Sequence, residues 1–347
     1  MGAVFIVPAF YMTTALPVFF GADNGGILCA YAFTHGRVEI LNAAEVERWL
    51  LQPVSERAFL WLHVNLNHNQ ILPWLQQHTV LPDSFYEALQ EPSPSSRIER
   101  DEDVLLAVMN DVVFDFTFEA DDIATLWLAV QPHLMVTARR KPLRSVDRLR
   151  MAVKNGDIPA STIELLVHLL QDQADELAKI IAAVNEKTNR IEDRILAGRI
   201  GSSRADLGNM RRLLVQFKRL LAPEPGALFR LLMRPPKWMD EDNRQDLRQS
   251  TEEFAGVIED IGTLQERIKL LQEEIGANLN EQINRSLYVL TIVTVLALPF
   301  NVVGGLFGMN VGGIPFENNP HGFSLLVWLV SISVVLAAWF LLRRRKD

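Results

Sequence analysis

The chain has 347 residues, with 34 Lys and Arg against 42 Asp and Glu, and a net charge of −8. That balance disfavours nucleic acid as the main partner, because phosphate binding wants a concentrated basic surface. The single cysteine, Cys29, excludes a disulfide framework or a Cys-rich zinc cluster and fits a reducing compartment.

Residues 1–20 are apolar and uncharged but lack the basic start of a signal peptide, and Pro8 and Pro17 interrupt them. Residues 1–25 therefore read as an upstream translation start or a disordered leader, with the fold beginning near Gly26. From there to residue 140 a compact α/β domain is expected. Its strands are Ile27 to Phe33, Ala58 to Leu66, Val104 to Phe114 and Ala124 to Thr137, and its short helices are Ala43 to Leu51, Gln70 to His78 and Asp83 to Gln90. Glu91 to Arg97, with two prolines and three serines, reads as a loop. Cys29 is expected to be a small buried residue in a strand.

Residues 141–285 turn helical. Leu165, Leu166, Leu169, Leu170, Leu177, Ile180, Ile181, Val184, Ile191 and Ile195 recur at spacings of three and four, which predicts an amphipathic helix of about ten turns that must pack on another. The candidate partner is Gln245 to Leu287, where Phe254, Ile258, Ile261, Leu264, Ile268, Leu271 and Ile275 repeat the stripe. Pro223, Pro225, Pro235 and Pro236 are expected to break the chain between them. No proline follows Gln245 until Pro299, so one helix from Gln245 to Leu306 would be on the order of 90 Å long.

Ser286 to Phe316 and Phe323 to Leu342 contain no Asp, Glu, Lys or Arg. A bilayer core takes roughly 20 apolar residues of helix to cross, so residues 286–310 and 323–342 are two expected spans joined by residues 311–322. The first span carries Thr291, Thr294, Pro299, Asn301 and, up to Leu306, two glycines; the second has only Ser324, Ser331 and Ser333 as polar side chains. The second therefore reads as lipid-facing and the first does not. Arg343 to Lys346, in the tail of residues 343–347, and Arg285 flank the spans, and the connecting loop has neither Lys nor Arg. Both long ends are thus expected on the cytoplasmic side.

Gly308-Met309-Asn310, directly after an apolar helix and just before a short loop and a second span, resembles the signature of the CorA-type metal-ion transporters. The run on to Pro315 is similar to the bacterial zinc-transporting ZntB branch, and Trp61-Leu62-His63 and the basic C-terminus support the likeness. The resemblance implies an α+β membrane protein of the bacterial inner membrane. Its N-terminal α/β domain would be cytoplasmic, its long helices would form a funnel, and its two C-terminal helices would belong to a homopentamer around one pore. It places Asn310 in a ring at the periplasmic mouth that receives a hydrated cation, a role suited to neutral carboxamides because Mg²⁺ dehydrates reluctantly. Magnesium members carry an acidic residue soon after the motif; here Val311 to Ile314 stand there, which favours Zn²⁺ over Mg²⁺. Glu317 would supply an external negative ring.

Asn301, Leu298, Thr294, Thr291 and Leu287, continued by Asn284 and Asn280, share one helical face and are the expected pore lining, with the two leucines as hydrophobic constrictions. The alternative for Thr and Asn is bonding helix to helix. Gly304, Gly305 and Gly308 read as structural. His63 and His68 are candidate zinc ligands by residue type alone. Glu259, Asp260, Glu266, Glu273 and Glu274 read equally as a cation-gathering wall or a solvated helix face. No phosphate loop, nucleophile elbow or metal-hydrolase spacing is present, so neither an enzyme nor an ATP-driven pump is expected, and no cofactor beyond the transported ion. A Mg²⁺ or Co²⁺ channel and a non-transporting membrane scaffold or stress sensor are the competing readings.

Overall fold

The computed structural model describes residues 25–52, 58–91, 96–119, 121–198, 203–309 and 320–344. It divides into a first unit ending at Lys269 and a second beginning at Leu270.

The first unit is built on a seven-stranded sheet of β1 (Ile27–Thr34), β2 (Arg37–Ile40), β3 (Ala58–Asn65), β4 (Arg97–Asp101), β5 (Val104–Val112), β6 (Ile123–Val130) and β7 (Leu134–Arg139). The order is β2-β1-β3-β7-β6-β5-β4, and every pair is antiparallel except β3 with β7. Along a strand successive side chains alternate in face, and here both faces are covered. Cys29, Tyr31, Phe33, Trp61, Leu105 and Met109 pack against α4 (Arg144–Lys154) and the start of α5 (Thr162–Leu196). Ala30, Ala32, Leu60, Leu62, Leu106 and Trp127 pack against α1 (Ala43–Leu50), α2 (Ile71–His78) and α3 (Asp83–Gln90). The strands inside the two edges are buried on both sides, which is why they read as apolar runs rather than alternating ones.

Local chemistry sets the helix starts. Asn42 caps α1 in a reciprocal box: Glu45 N–H donates to Asn42 Oδ1 at 3.1 Å, and Asn42 N–H to Glu45 Oε2 at 2.8 Å. Ser161 Oγ accepts from Glu164 N–H at 3.0 Å to start α5.

Two expectations need correction. The run Ala124 to Thr137 is two antiparallel strands, β6 and β7, turned at Gln131, whose N–H donates to Leu134 O at 2.8 Å. Strand β4 begins at Arg97, the last residue of the expected loop, and β2 has no counterpart in the sequence pattern. The break expected at the prolines is present: Pro235 and Pro236 lie in the non-helical segment after α7 (Pro223–Met233), and Pro223 occupies the first turn of α7, where a missing N–H costs nothing. Helix α6 (Ser203–Leu221) precedes it.

Helix α8 runs Glu241–Phe307, 67 residues. In the first unit it buries Leu247, Phe254, Ile261, Leu264 and Ile268, a seven-residue repeat with an intervening position, as in coiled-coil packing. The expected pairing with α5 is present: Arg267 donates to Asn185 Oδ1 at 2.9 Å and forms an ion pair with Glu192.

Where β4, β5, α5 and α7 meet, a carboxylate is fully buried. Glu224 Oε1 accepts from Asn110 N–H at 2.8 Å and lies 3.0 Å from Ser96 Oγ, while Oε2 accepts from Gln173 Nε2 at 3.1 Å. Ser96 has one hydroxyl proton and a nearer acceptor, Leu220 O at 2.6 Å. A protonated Glu224 donating to Ser96 Oγ satisfies both contacts. Burial pushes the Glu224 carboxyl up to about 8, with the charge of Asp111 adding to the shift against the hydrogen bonds that lower it. Asp111 itself, held by Ser145 Oγ at 2.5 Å, is raised by burial to about 6. For an acid raised in the folded state, stability is full below the unfolded pKa near 4.5 and declines as pH climbs toward the folded value, because the unfolded chain releases the proton first. The full chain in detergent should therefore lose a few kcal/mol of unfolding free energy between about pH 5 and 8. Glu224→Gln should flatten that slope; an unchanged slope in a thermal or urea series would show that Glu224 ionises freely.

Candidate ion-conduction site

In the second unit the described residues are the end of α8 and α9 (Gly322–Arg344). Each holds an 18-residue stretch of mean hydropathy 2.1, long and apolar enough to cross a bilayer.

Burial along α8 divides its apolar part into two faces. Tyr288, Ile292, Leu296, Pro299 and Val303 are half-buried, at the spacing of one helical side. On α9, Leu326, Val330, Val334, Ala337 and Ala338 lose exposure at the same spacing, and Val330 is 4% exposed. Their matching loss of exposure marks these as the sides the two helices turn toward each other. Leu287, Thr291, Thr294, Leu298 and Asn301 are all exposed. At 100° per residue their mean direction lies roughly 140° from the α9-facing side of the helix. The polar stripe is thus turned away from the partner helix.

The threonines on that stripe are internally satisfied as donors: Thr291 Oγ1–H donates to Leu287 O and Thr294 Oγ1–H to Leu290 O, both at 2.8 Å. Their oxygens keep free lone pairs toward the exposed side. Such a surface accepts from water hydrogens, which is what the shell of a hydrated cation presents. On α9, Trp328 and Trp339 are 70% and 56% exposed, and the Arg343 guanidinium lies 5.1 Å from the Trp339 ring, the pairing suited to a membrane boundary.

Of the motif, Gly308 and Met309 are described; Asn310 and residues 311–319 of the loop, Glu317 among them, lie outside the described residues. Gly308 N–H donates to Gly304 O at 2.9 Å, and a Cβ on Gly308 would meet that same oxygen at 2.9 Å, so no larger residue fits the end of α8 unshifted. Gly304 and Gly305 have open space where a Cβ would stand, so no close approach within the chain requires them.

The two histidines do not come together as a metal site. His63 is 2% exposed with both ring nitrogens engaged: Nδ1 lies 2.8 Å from Thr137 Oγ1, and Arg139 Nε donates to Nε2 at 2.9 Å. Burial, with the charge of Arg139, holds its pKa well below the usual histidine value. His68 Nδ1 faces the Gln70 N–H at 3.4 Å. Among the described residues no three His, Cys, Asp or Glu side chains are grouped to hold a metal ion. Glu259, Asp260, Glu266, Glu273 and Glu274 are all exposed, and Glu266 pairs with Lys269 at 2.9 Å.

The sequence profile described as "CorA-like Mg2+ transporter protein" matches residues 56–344. The chain belongs to this CorA-like family. Similar curated relatives are the zinc transport proteins ZntB of Yersinia enterocolitica, 25% identical over 281 residues covering 81% of this chain and 86% of the relative, and of Pectobacterium carotovorum, 27% identical over 285 residues covering 82% and 87%. Among solved structures, the full-length CmaX protein superposes with a TM-score of 0.79 at 25% identity over 94% of this chain and 99% of that one. The CorA magnesium transporter of Methanocaldococcus jannaschii shares the fold, with a TM-score of 0.72 at 19% identity over 90% and 96%. The α/β unit, the long helix and the two C-terminal apolar helices are thus the architecture of CorA-like proteins.

The two faces of α8 can be told apart in a membrane. Cys29 is buried with its thiol pushed up to about 12, chiefly by burial, so the native protein should be silent to thiol reagents. Thr291→Cys, Thr294→Cys and Leu298→Cys should react with a small water-soluble reagent at least about tenfold faster than Ile292→Cys or Leu296→Cys. The reverse order would place the polar stripe away from water.

Proposed function

We propose that this CorA-like chain carries divalent cations inward through a pore shared by a homopentamer, with Zn²⁺ as the favoured ion. The observation that carries the reading is the stripe of Leu287, Thr291, Thr294, Leu298 and Asn301 turned away from α9. In lipid an outward carboxamide is costly, so this face needs either water or another helix. A ring of copies supplies water, with Leu287 and Leu298 as apolar constrictions and Thr294, Thr291 and Asn301 as acceptors between them.

In this reading Gly308, Met309 and Asn310 form the outer mouth, where Asn310 meets the ion with its water shell intact, and Glu317 raises the local cation concentration. Residues 26–140 and the helices through residue 285 lie in the cytoplasm as domain and funnel, both termini are cytoplasmic, and residues 311–322 face the periplasm of a bacterial inner membrane. Zinc is supported by the likeness to the zinc transport proteins of Yersinia and Pectobacterium and by Val311 to Ile314, which put no carboxylate beside the motif. A Mg²⁺ or Co²⁺ channel is the second reading, supported by the match to a family described by its Mg²⁺ transporters. No ATP is needed: a divalent ion crossing 100 mV gains about 4.6 kcal/mol, twice the single-charge figure. Neither expected span holds an acidic residue, so a coupled proton would travel with water or through the loop.

Flux into liposomes containing the purified chain tests this for Zn²⁺ against Mg²⁺, with and without a pH gradient. Zinc should enter down its gradient, and Asn310→Ala should slow it at least about tenfold. No flux for any ion would end the transport reading. Unchanged zinc flux in Asn310→Ala would remove the motif from the ion's path.

A further inference from the structure

The buried Glu224 carboxyl bears on more than overall stability, because of how one hydroxyl proton is shared beside it. Ser96 Oγ stands between two acceptors, 2.6 Å from Leu220 O and 3.0 Å from Glu224 Oε1, and Asn110 Nδ2 donates to it at 2.8 Å. Its single proton serves one acceptor at a time. Leu220 is next to last in α6, and the last four carbonyls of a helix find no N–H within it. In the observed geometry the proton goes to the nearer Leu220 O. Ser96 thus ties the α6–α7 junction to the strand β4 that it precedes.

Ionisation of Glu224 changes that allocation. A bare carboxylate oxygen 3.0 Å from a hydroxyl oxygen that donates elsewhere faces only lone pairs, whereas the same hydroxyl turned toward it makes a charge-assisted bond. The Ser96 proton then leaves Leu220 O. No cation offsets the new charge: Glu224 forms no ion pair among the described residues, Arg97 of β4 is held by Glu91 at 2.8 Å, and Glu176 of α5 holds Arg148 at 2.8 Å and Lys179 at 2.9 Å. Asp111 of β5, bonded to Ser145 of α4, adds negative charge instead. A buried charge without a partner is costly. The next apolar anchors of α7, Leu228 and Leu231, lie one and two turns further on, so the strain falls on the junction and the first turn. We propose that Glu224 is a proton-operated latch: protonated, it leaves Ser96 to hold Leu220 and the junction closed, and ionised, it captures the Ser96 hydroxyl and lets the junction and the first turn of α7 open. Neither the transport reading nor any residue of the α8 stripe enters into it.

Hydrogen exchange of the full chain in detergent, read by mass spectrometry and corrected for the intrinsic pH dependence of amide exchange, tests the latch between about pH 5.5 and about pH 8.5. Peptides spanning Leu220 to Leu228 should exchange at least about tenfold faster at the higher pH. Their exchange should respond weakly to urea, because a local opening exposes little surface. Amides of β1 and β3, which open only with the whole unit, should stay slower at both pH values and respond steeply. Glu224→Gln, shaped like the neutral acid, should keep the junction slow at both pH values, and Ser96→Ala, which removes the shared proton, should leave it fast at both. If Glu224→Gln fails to fold, the wild type and Ser96→Ala still decide. The latch is disproved if the junction does not accelerate, if it accelerates equally in Glu224→Gln, or if it exchanges with the rate and urea dependence of β1 and β3.

Discussion

A helix in hydrocarbon satisfies its own backbone but not its polar side chains, and the arrangement of the second unit follows from where Thr291, Thr294 and Asn301 can go. The threonines meet part of the demand internally by donating to Leu287 O and Leu290 O. Asn301 has no such local remedy. Helix α9 does not help, because it occupies the opposite side of α8, on Tyr288, Ile292, Leu296, Pro299 and Val303. One chain therefore leaves its polar face uncovered, and in the proposed reading a ring of copies around water covers it.

Within the first unit the same helix is firmly anchored. Along its first half α8 buries a heptad stripe, and Arg267 joins it to Asn185 and Glu192 of α5. The segment leading into it is tied to the β4–β5 hairpin: Trp238 Nε1 donates to Asp103 O at 2.7 Å and Arg100 to Pro235 O at 3.2 Å. Behind these, Glu224 knots β5, α5, α7 and the residue before β4. A neutral buried carboxyl with every contact satisfied specifies one packing of these elements, and its ionisation would oppose that packing.

The membrane hairpin is the most legible part of the sequence, because two charge-free runs of bilayer length have few other uses. Helices α5 and α8 are legible for a related reason: their stripes repeat long enough to outweigh local noise. The edge strands are not. β2 has four residues, two of them charged, and β4 reads Arg-Ile-Glu-Arg-Asp, which no hydrophobic period marks. The turn at Gln131 is short enough to vanish inside an apolar stretch. Glu224 gives no sign of burial, since its partners Asn110 and Gln173 lie 114 and 51 positions away. The α9-facing side of α8 is equally hidden, because lipid and a neighbouring helix ask for the same apolar residues.

Central to the proposed transport is that the side of α8 opposite α9 faces its own copies across a shared pore. Oxidative cross-linking in membranes examines this directly, with Leu298→Cys compared against Leu296→Cys two positions away on the α9-facing side. A shared pore predicts chains linked to one another through Leu298→Cys and none through Leu296→Cys, with Cys29 too buried to contribute. Linkage through Leu296→Cys alone would show that the copies meet on the other face and that the polar stripe does not line a pore.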